Sequence, residues 1–524
     1  MKAAISRISA WRDKDYSLWS ANYAIGDTMR HLLKFLKALR DNPIETINDV
    51  VWGTPMLALL LLTGLFLSFG LKGLSIIRIP YALKQLFKKR AGDEAEGDVS
   101  PFAALMTALS STIGTGNIAG VAAAIAIGGP GAVFWMWMTA IVGTATKFSE
   151  GVLAVRYREI DSNGNRVGGP MYYIKNGLGP KWKWLAGTFA FLAFFAALGT
   201  GASIQANSVS DVLSSNYGWS PYIIAFVIAG AAGAVIIGGI KRIGVVASAV
   251  VPFMAGLYVL AGLLVIFLNI SAVPAAFGMI FKGAFGYHSA GTGISIGLLL
   301  LAMKKGVARG IFSNEAGQGS APIAHAAARN NDPVNQGIIA MLGTVIDTLI
   351  VCTITALVIL TSGVVAPECL ASPENLQVLL SGVQPAGCDT GAPLTSAAFD
   401  SVLNGVGKHI VAIGLTVFAF TTILGWSYYG ERCSAYLFTE RSIPLYRILW
   451  IVVVFLSAAA IALEDKIGNI VNLFWLMADT LTGLMAAPNL IALILLSPVV
   501  FKLAKEYFAK EAINKDGIAD QNKM

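Results

Sequence analysis

Stretches of about twenty mostly apolar residues recur along almost the whole of this 524-residue chain, and a run of that length is what an α-helix needs to cross a bilayer. They fall near 52–72, 101–128, 131–155, 184–213, 221–239 and 245–268. A second group lies near 304–328, 335–361, 406–430, 447–463 and 468–500. That reading gives eleven spans. Residues 291–303 are apolar but too short to span beside their neighbour, and 468–500 is long enough to hold a break at Pro488. Composition settles the class. Only 13% of residues are charged, about half the share of a soluble protein, which is too few to cover a soluble particle of this size. A soluble enzyme, a nucleic-acid binder and a disordered scaffold are excluded as whole-chain readings. The chain reads as an all-α polytopic membrane protein.

Loop charge sets the expected orientation. Arg78, Lys84, Lys88, Lys89 and Arg90 follow the first span, and Arg156, Arg158, Arg166 and Lys175 lie on the same side. Lys241 with Arg242, then Arg329, Arg432, Arg441 and Arg447, continue the series. The longest opposite loop, 362–404, carries Glu368, Glu374, Asp389 and Asp400 and no basic residue. The basic side is read as cytoplasmic, which with an odd span count puts the N-terminus outside and the C-terminus inside. Residues 1–45 run against this with eight basic residues, and their stretch 29–40 reads as an interfacial amphipathic helix. They lack a continuous apolar core, so no cleavable signal peptide is evident. Four cysteines cannot form a disulfide scaffold, and the histidines at 31, 288, 325 and 409 are too scattered for a metal centre. Cys369 and Cys388 share the outer loop, where a bacterial periplasm permits a disulfide or two free thiols. Cys352 and Cys433 read as packing residues.

Two spans are interrupted. Ser110-Ser111-Thr112-Ile113-Gly114-Thr115-Gly116-Asn117-Ile118-Ala119-Gly120 breaks one. Gly310-Ile311-Phe312-Ser313-Asn314-Glu315-Ala316-Gly317-Gln318-Gly319-Ser320 breaks another about 200 residues later. Unwound backbone at membrane depth is tolerated only where protein buries it or a cavity needs it. A pair of such breaks, one in each half of the chain, marks a transporter binding site. Half-helix N-termini offer free N–H groups to a carboxylate, and the facing half-helix C-termini offer carbonyls to Na⁺ or an ammonium. The alternative is a pair of glycine-rich packing faces, since Gly116 and Gly120 also make a small-xxx-small motif. Packing alone does not call for Asn, Glu and several hydroxyls in one turn.

These stretches, together with GGPMYYI (168–174), RGIFSNEAGQGSAP (309–322), DTLIVCTITALVIL (347–360) and MAAPNLIALILL (485–496), resemble the alanine or glycine:cation symporters, from about Trp52 to about residue 500. The resemblance implies a leucine-transporter-type fold of five spans (101–268) and five inverted spans (291–500). One additional span (52–72) and an extension (1–45) precede them, and a cytoplasmic tail (501–524) follows. It implies Na⁺-coupled uptake of alanine and glycine across a cell inner membrane, with no cofactor beyond the coupling ion and no nucleic-acid partner. It also assigns residues. Thr115 and Gly116 would hold the substrate carboxylate, with Asn117 beside substrate or ion. Ser110 and Ile113 would offer carbonyls to Na⁺, and Thr421 and Thr422 would offer hydroxyls, all hard donors suited to that ion. Two adjacent threonines could instead back-bond to their own helix.

Trp426, one turn after Thr422, is read as a cap that limits the pocket to small side chains, or else as a member of an interfacial aromatic belt. Gln205 is read as a substrate contact and, with Asn207, alternatively as a helix–helix hydrogen bonder. Phe312 and Ser313 would meet the ammonium and side chain of the substrate. Among intramembrane charges, Lys147 and Glu150 are three apart and read as a structural pair. Glu315 would bond freed N–H groups or tune the cation site, and Asp347 and Asp479 would be anchors or ion ligands. Gly293–Gly297 mimics a nucleophile elbow without its context, and Gly405-Val406-Gly407-Lys408 lacks the Ser or Thr of a phosphate loop. With no ATP site, uphill transport must draw on an ion gradient. A proton-coupled symporter is the alternative, and a channel or an intramembrane enzyme lacks the polar pore or reactive constellation it would need.

Overall fold

The structure is a computed structural model that describes residues 42–87, 96–286, 296–365, 390–521 and residues 369, 378, 379 and 388. Residues 1–41, with the expected helix over 29–40, lie outside them, as do Lys88–Arg90, His31, His288, Glu368, Glu374, Asp389 and most of the Gly293–Gly297 motif.

Each of the eleven apolar stretches is largely helical, the two interrupted ones apart from their breaks. In chain order the described helices include α1 (Pro43–Val51), α2 (Thr54–Gly70), α3 (Pro101–Thr112), α4 (Val121–Gly128), α5 (Gly131–Arg156), α6 (Lys183–Ala196), α7 (Ile204–Tyr217), α8 (Pro221–Ile236) and α9 (Gly239–Leu268). The second half continues with α10 (Val273–Ala284), α11 (Ile296–Asn314), α12 (Ala321–Ala326), α13 (Pro333–Ala340), α14 (Thr353–Thr361), α15 (Gly391–Leu403), α16 (Gly407–Phe438), α17 (Ile443–Ala459) and α18 (Glu464–Gln521). Among the described residues seven helices are long and apolar enough to cross a membrane, eight if the bent pair α3 and α4 counts as one span. The remaining stretches are too short, as α8 with 16 residues is, or too polar. Large apolar side chains exposed on α8, α9 and α17, among them Phe226, Phe253, Phe267 and Leu445, make a lipid-facing exterior.

Local chemistry explains the boundaries. Ser100 caps α3, its Oγ accepting the Ala103 N–H at 3.0 Å ahead of Pro101. Asp332 caps α13 through the Val334 and Asn335 N–H groups. Gly218 ends α7 in the left-handed conformation.

Three boundaries differ from the sequence expectation. Residues 296–303 are not a separate short element, because α11 runs without interruption from Ile296 to Asn314; Lys304, Lys305 and Arg309 interrupt its hydropathy but not its backbone. No break occurs at Pro488. Helix α18 runs through Pro488 and Pro498 for 58 residues, since a membrane helix packed among neighbours tolerates a proline that would break an isolated one. The expected tail from residue 501 is the end of that same helix as far as Gln521.

Cys369 and Cys388 are bonded in the long acidic loop, with their Cα atoms 5.6 Å apart. The adjoining α15 turns inward against the first break, burying Phe399 beside Tyr258. At the end of the molecule bearing the basic loops, a short antiparallel hairpin, β1 (Glu159–Ile160) with β2 (Arg166–Val167), follows α5. Beside it Val99 and Ala328 pair as a single parallel bridge, which ties the start of α3 to the chain just after α12.

Candidate functional site

The first interrupted span bends by 55° between α3 and α4, across a π-turn over Gly116–Gly120. Carbonyls that the break removes from the helical ladder find hydroxyls on neighbouring helices. Thr355 Oγ1 donates to Asn117 O at 2.8 Å, and Thr395 Oγ1 of α15 donates to Ile118 O at 3.1 Å. The Gly114 N–H is held by Asn117 Oδ1 at 2.9 Å. The N–H groups of Thr115 and Gly116 open the new helical turn, where a helix has no acceptor of its own to offer.

The second break is a run of turns and bends from Glu315 to Ser320 between α11 and α12. Glu315 has φ 54°, and Gly317 and Gly319 follow at 88° and 83°. Such a conformation costs a non-glycine residue on the order of 1–3 kcal/mol, and here the surroundings hold it. The Glu315 carboxylate accepts the Trp426 Nε1–H at 3.1 Å and a short hydrogen bond from Ser320. Behind the segment, Glu150 Oε1 accepts from the Gly319 N–H at 3.2 Å and from Asn489 Nδ2 at 2.7 Å, and Asn489 also donates to Gly317 O. Glu150 therefore braces the break. Among the described residues no ion pair within 4 Å joins Glu150 to Lys147; the two bonds of the carboxylate, both to Oε1, go to the freed N–H group and the amide.

A cavity of about 20 Å³ lies between the two breaks, room for about one water molecule. Of the expected site residues, Thr115, Gly116, Gln205, Phe312, Thr422 and Trp426 line it. Trp426 is 2% exposed, so it belongs to the pocket wall and not to an interfacial belt. Asn117 and Ser313 are not on that wall. Both turn to Asp347, a buried carboxylate on a π-helical turn over Val345–Cys352. Asn117 Nδ2 donates to Oδ1 at 2.7 Å, and Ser313 Oγ and Thr348 Oγ1 donate to Oδ2 at 2.9 and 2.7 Å. One carboxylate thereby ties both breaks together. Asp479 is an anchor for the N-terminal span, accepting from Asn48 Nδ2 at 3.2 Å, while its carbonyl accepts from Trp52 Nε1. Asn207 likewise bonds across helices, to Ser457 O.

Of the expected cation ligands, Ile113 and Thr422 meet, with Thr422 Oγ1 3.4 Å from Ile113 O, while the shorter bond of that hydroxyl, 3.0 Å, goes back to Phe418 O of its own helix. Ser110 is buried one turn earlier against α16, its hydroxyl on Thr107 O. Thr421 faces elsewhere. Its hydroxyl donates to Phe418 O of its own helix at 2.9 Å and contacts Met254 Sδ at 3.6 Å, which is the back-bonding arrangement. The wall also contains groups that sequence reasoning left unassigned: Thr200 and Thr482, whose hydroxyls bond at 2.7 Å, and Gln318. Gln318 sits inside the second glycine-rich motif, and Thr200 lies within the run Gly199-Thr200-Gly201, a local signal comparable to the one that marked the breaks.

On the side of the acidic loop, a larger cavity of about 550 Å³ reaches Thr115, Gly116 and Phe312 from outside, past Arg309, Asp479 and Thr390. The Phe312 ring packs over Gly116 between the two cavities. On the other side the bridge at Val99 and Ala328 is clamped by Arg158, which donates to Ala326 O, Ala328 O and Glu96 O.

A family model described as the sodium:alanine symporter family matches residues 37–521. The sodium/alanine symporter AgcS of Methanococcus maripaludis is 49% identical over 466 residues, covering 88% of this chain and 96% of that one. The putative sodium/proton-dependent alanine carrier protein YrbD of Bacillus subtilis is 39% identical over 477 residues, covering 91% and 94%. Among solved structures, a Na⁺-coupled sialic acid symporter in a substrate-bound outward-open state aligns over 86% of each chain, at 14% identity and a TM-score of 0.48.

Proposed function

The chain belongs to the sodium:alanine symporter family, a family of membrane transporters and not of enzymes, and from that premise we propose that it carries alanine and glycine inward with Na⁺ by alternating access. The observation that carries the substrate reading is the closed cavity between the breaks. It has N–H donors at Thr115 and Gly116, oxygen acceptors opposite, and two large rings, Phe312 and Trp426, that leave little room for a side chain. A site of that kind suits a small zwitterion. Its carboxylate binds at the first half-helix N-terminus, where free N–H groups and the helix dipole both favour negative charge.

The cation reading rests on Ile113 O and Thr422 Oγ1, two hard oxygens in contact at the first break, with the carbonyl of Ser110 one turn earlier as a further ligand. Thr421 joins them only if its helix turns. Because the ion bridges α3 and α16 while the substrate bridges the two breaks, each ligand favours the state in which those elements are together. Efficient transport then requires both.

The fold we propose is two inverted five-helix repeats after one additional span, with the basic side cytoplasmic. In this arrangement the conformation described is closed inward by the Arg158 clamp and separated from the outer vestibule only by Phe312. A cavity of about 20 Å³ does not admit alanine, so loading moves the Phe312 ring toward the vestibule. The test is uptake of labelled L-alanine into proteoliposomes against its own gradient. Saturable accumulation competed by glycine supports the proposal, and saturable accumulation competed only by bulky amino acids overturns its substrate class.

A further inference from the structure

Two glutamines face the central cavity with the same committed geometry. Gln205 on α7 is 3% exposed and donates its Nε2–H to Thr200 O at 3.2 Å. Gln318 in the second break is 1% exposed and donates its Nε2–H to Ile311 O, also at 3.2 Å. A carboxamide whose nitrogen holds a carbonyl cannot be turned over, since that would set oxygen against oxygen. The remaining atom, Oε1, is therefore fixed in each residue, and in each it is buried with no hydrogen-bond partner. Both residues line the cavity, and Gln205 Oε1 lies against Gly114 at the first break. Buried acceptors are ordinarily paired, because leaving one unmade is costly. Beside them stands the Glu315 carboxylate, which accepts from Trp426 and Ser320 and keeps lone pairs to spare. The cavity wall thus carries donors at Thr115 and Gly116 and acceptors at the two amides and the carboxylate.

Resting on the symporter reading, we propose that Gln205 Oε1, Gln318 Oε1 and the Glu315 carboxylate receive the three N–H groups of the substrate's ammonium, and that Gln318 selects for an unsubstituted amino group. Three acceptors on residues lining one cavity match in number the three donors of a primary ammonium. An N-methylated amino acid has two, so it leaves one buried acceptor unpaired as well as adding a methyl group. The coupling ion is assigned the oxygens of Ile113 and Thr422; Gln205 Oε1 and Thr422 Oγ1 both approach Gly114, and the Na⁺ dependence of the variants separates the two roles.

The experiment compares L-alanine with N-methyl-L-alanine as competitors of Na⁺-driven alanine uptake, in the full chain and in Gln318→Leu, a change that removes the acceptor at similar volume. The wild type is expected to prefer L-alanine by about 10-fold or more, the worth of one hydrogen bond to a charged group. In Gln318→Leu the KM for alanine rises by about the same factor and the preference shrinks with it, while the Na⁺ concentration for half-maximal uptake stays put. A purely structural glutamine weakens both competitors equally, so a raised KM with the preference intact overturns the proposal. An unchanged KM also overturns it, and so does a shift confined to the Na⁺ dependence, which would hand these acceptors to the cation. Gln205→Leu on the facing helix reads out the same ratio where Gln318→Leu fails to fold. A wild type that does not distinguish the two compounds overturns the proposal without any variant. Absence of Na⁺-driven alanine uptake in the wild type contradicts the symporter reading itself, and the inference falls with it.

Discussion

At the scale of single residues, the two breaks work because their freed backbone groups are handed to specific side chains, and each hand-over can be tested. The Thr422 hydroxyl of α16 reaches the Ile113 carbonyl at the first break, so Thr422→Val, isosteric but without the oxygen, is expected to raise the Na⁺ concentration for half-maximal uptake by about 10-fold. An unchanged Na⁺ dependence removes it from the ion site. Gly201 tests the rear wall. A Cβ there would sit 2.2 Å from Trp426 Cβ, so Gly201→Ala drives the indole toward the cavity. Uptake should fall by an order of magnitude or more with the protein still in the membrane, and normal alanine transport by that variant would show that Trp426 does not bound the site. Motif and resemblance point to Thr115, Gly116, Gln205, Phe312, Thr422 and Trp426, which line the cavity. They point also to Asn117 and Ser313, which do not, because a sequence shows a polar group at the right turn but not that Asp347, some 230 positions from Asn117, draws both away from that wall.

At the scale of elements, the molecule is tied at one end and open at the other. Arg158 holds the carbonyls of Glu96, Ala326 and Ala328 together, a tie between the start of the first broken helix and the end of the second. Arg158→Gln is expected to shift the population toward the inward-facing state. The readout is labelling of a cysteine placed at buried Ala104 by a membrane-impermeant maleimide from the basic side. Faster labelling supports a latch, and an unchanged rate contradicts it. The neighbouring hairpin adds an electrostatic tie. Burial pushes the Asp161 carboxyl up, but hydrogen bonds from Asn165 and Asn163 and the charge of Arg432 outweigh it and hold the group below its ordinary value of 3.8. The charged form is favoured by folding, so its stabilisation is full above that value and drains as pH falls through the depressed one. Asp161→Asn should therefore lower the melting temperature at pH 7 by a few degrees, with the gap closing below about pH 4. A gap constant with pH would mean that the hydrogen bonds and not the charge matter. Helix positions were legible from hydropathy, whereas the unbroken run of α18 through Pro488 was not, since the packing that supports a kinked helix is tertiary.

At the scale of the whole molecule, the class was legible from a charge content too low for a soluble surface and from apolar runs of spanning length. The number of crossings is harder to read, because one helix that builds the site is charged as well as apolar. Helix α11 carries Lys304, Lys305 and Arg309 while providing Phe312 and the second break. A span of that kind does not stand out by its apolar character alone. The central claim is that a small amino acid and Na⁺ share one occluded site. The most direct test is labelled L-alanine uptake into proteoliposomes under an inward Na⁺ gradient and, separately, an equal H⁺ gradient. Accumulation driven by Na⁺ and abolished when the Na⁺ gradient collapses is the predicted result. Accumulation driven by H⁺ alone would contradict it, and would make the buried carboxylates Glu315 and Asp347 the carriers of the coupling charge.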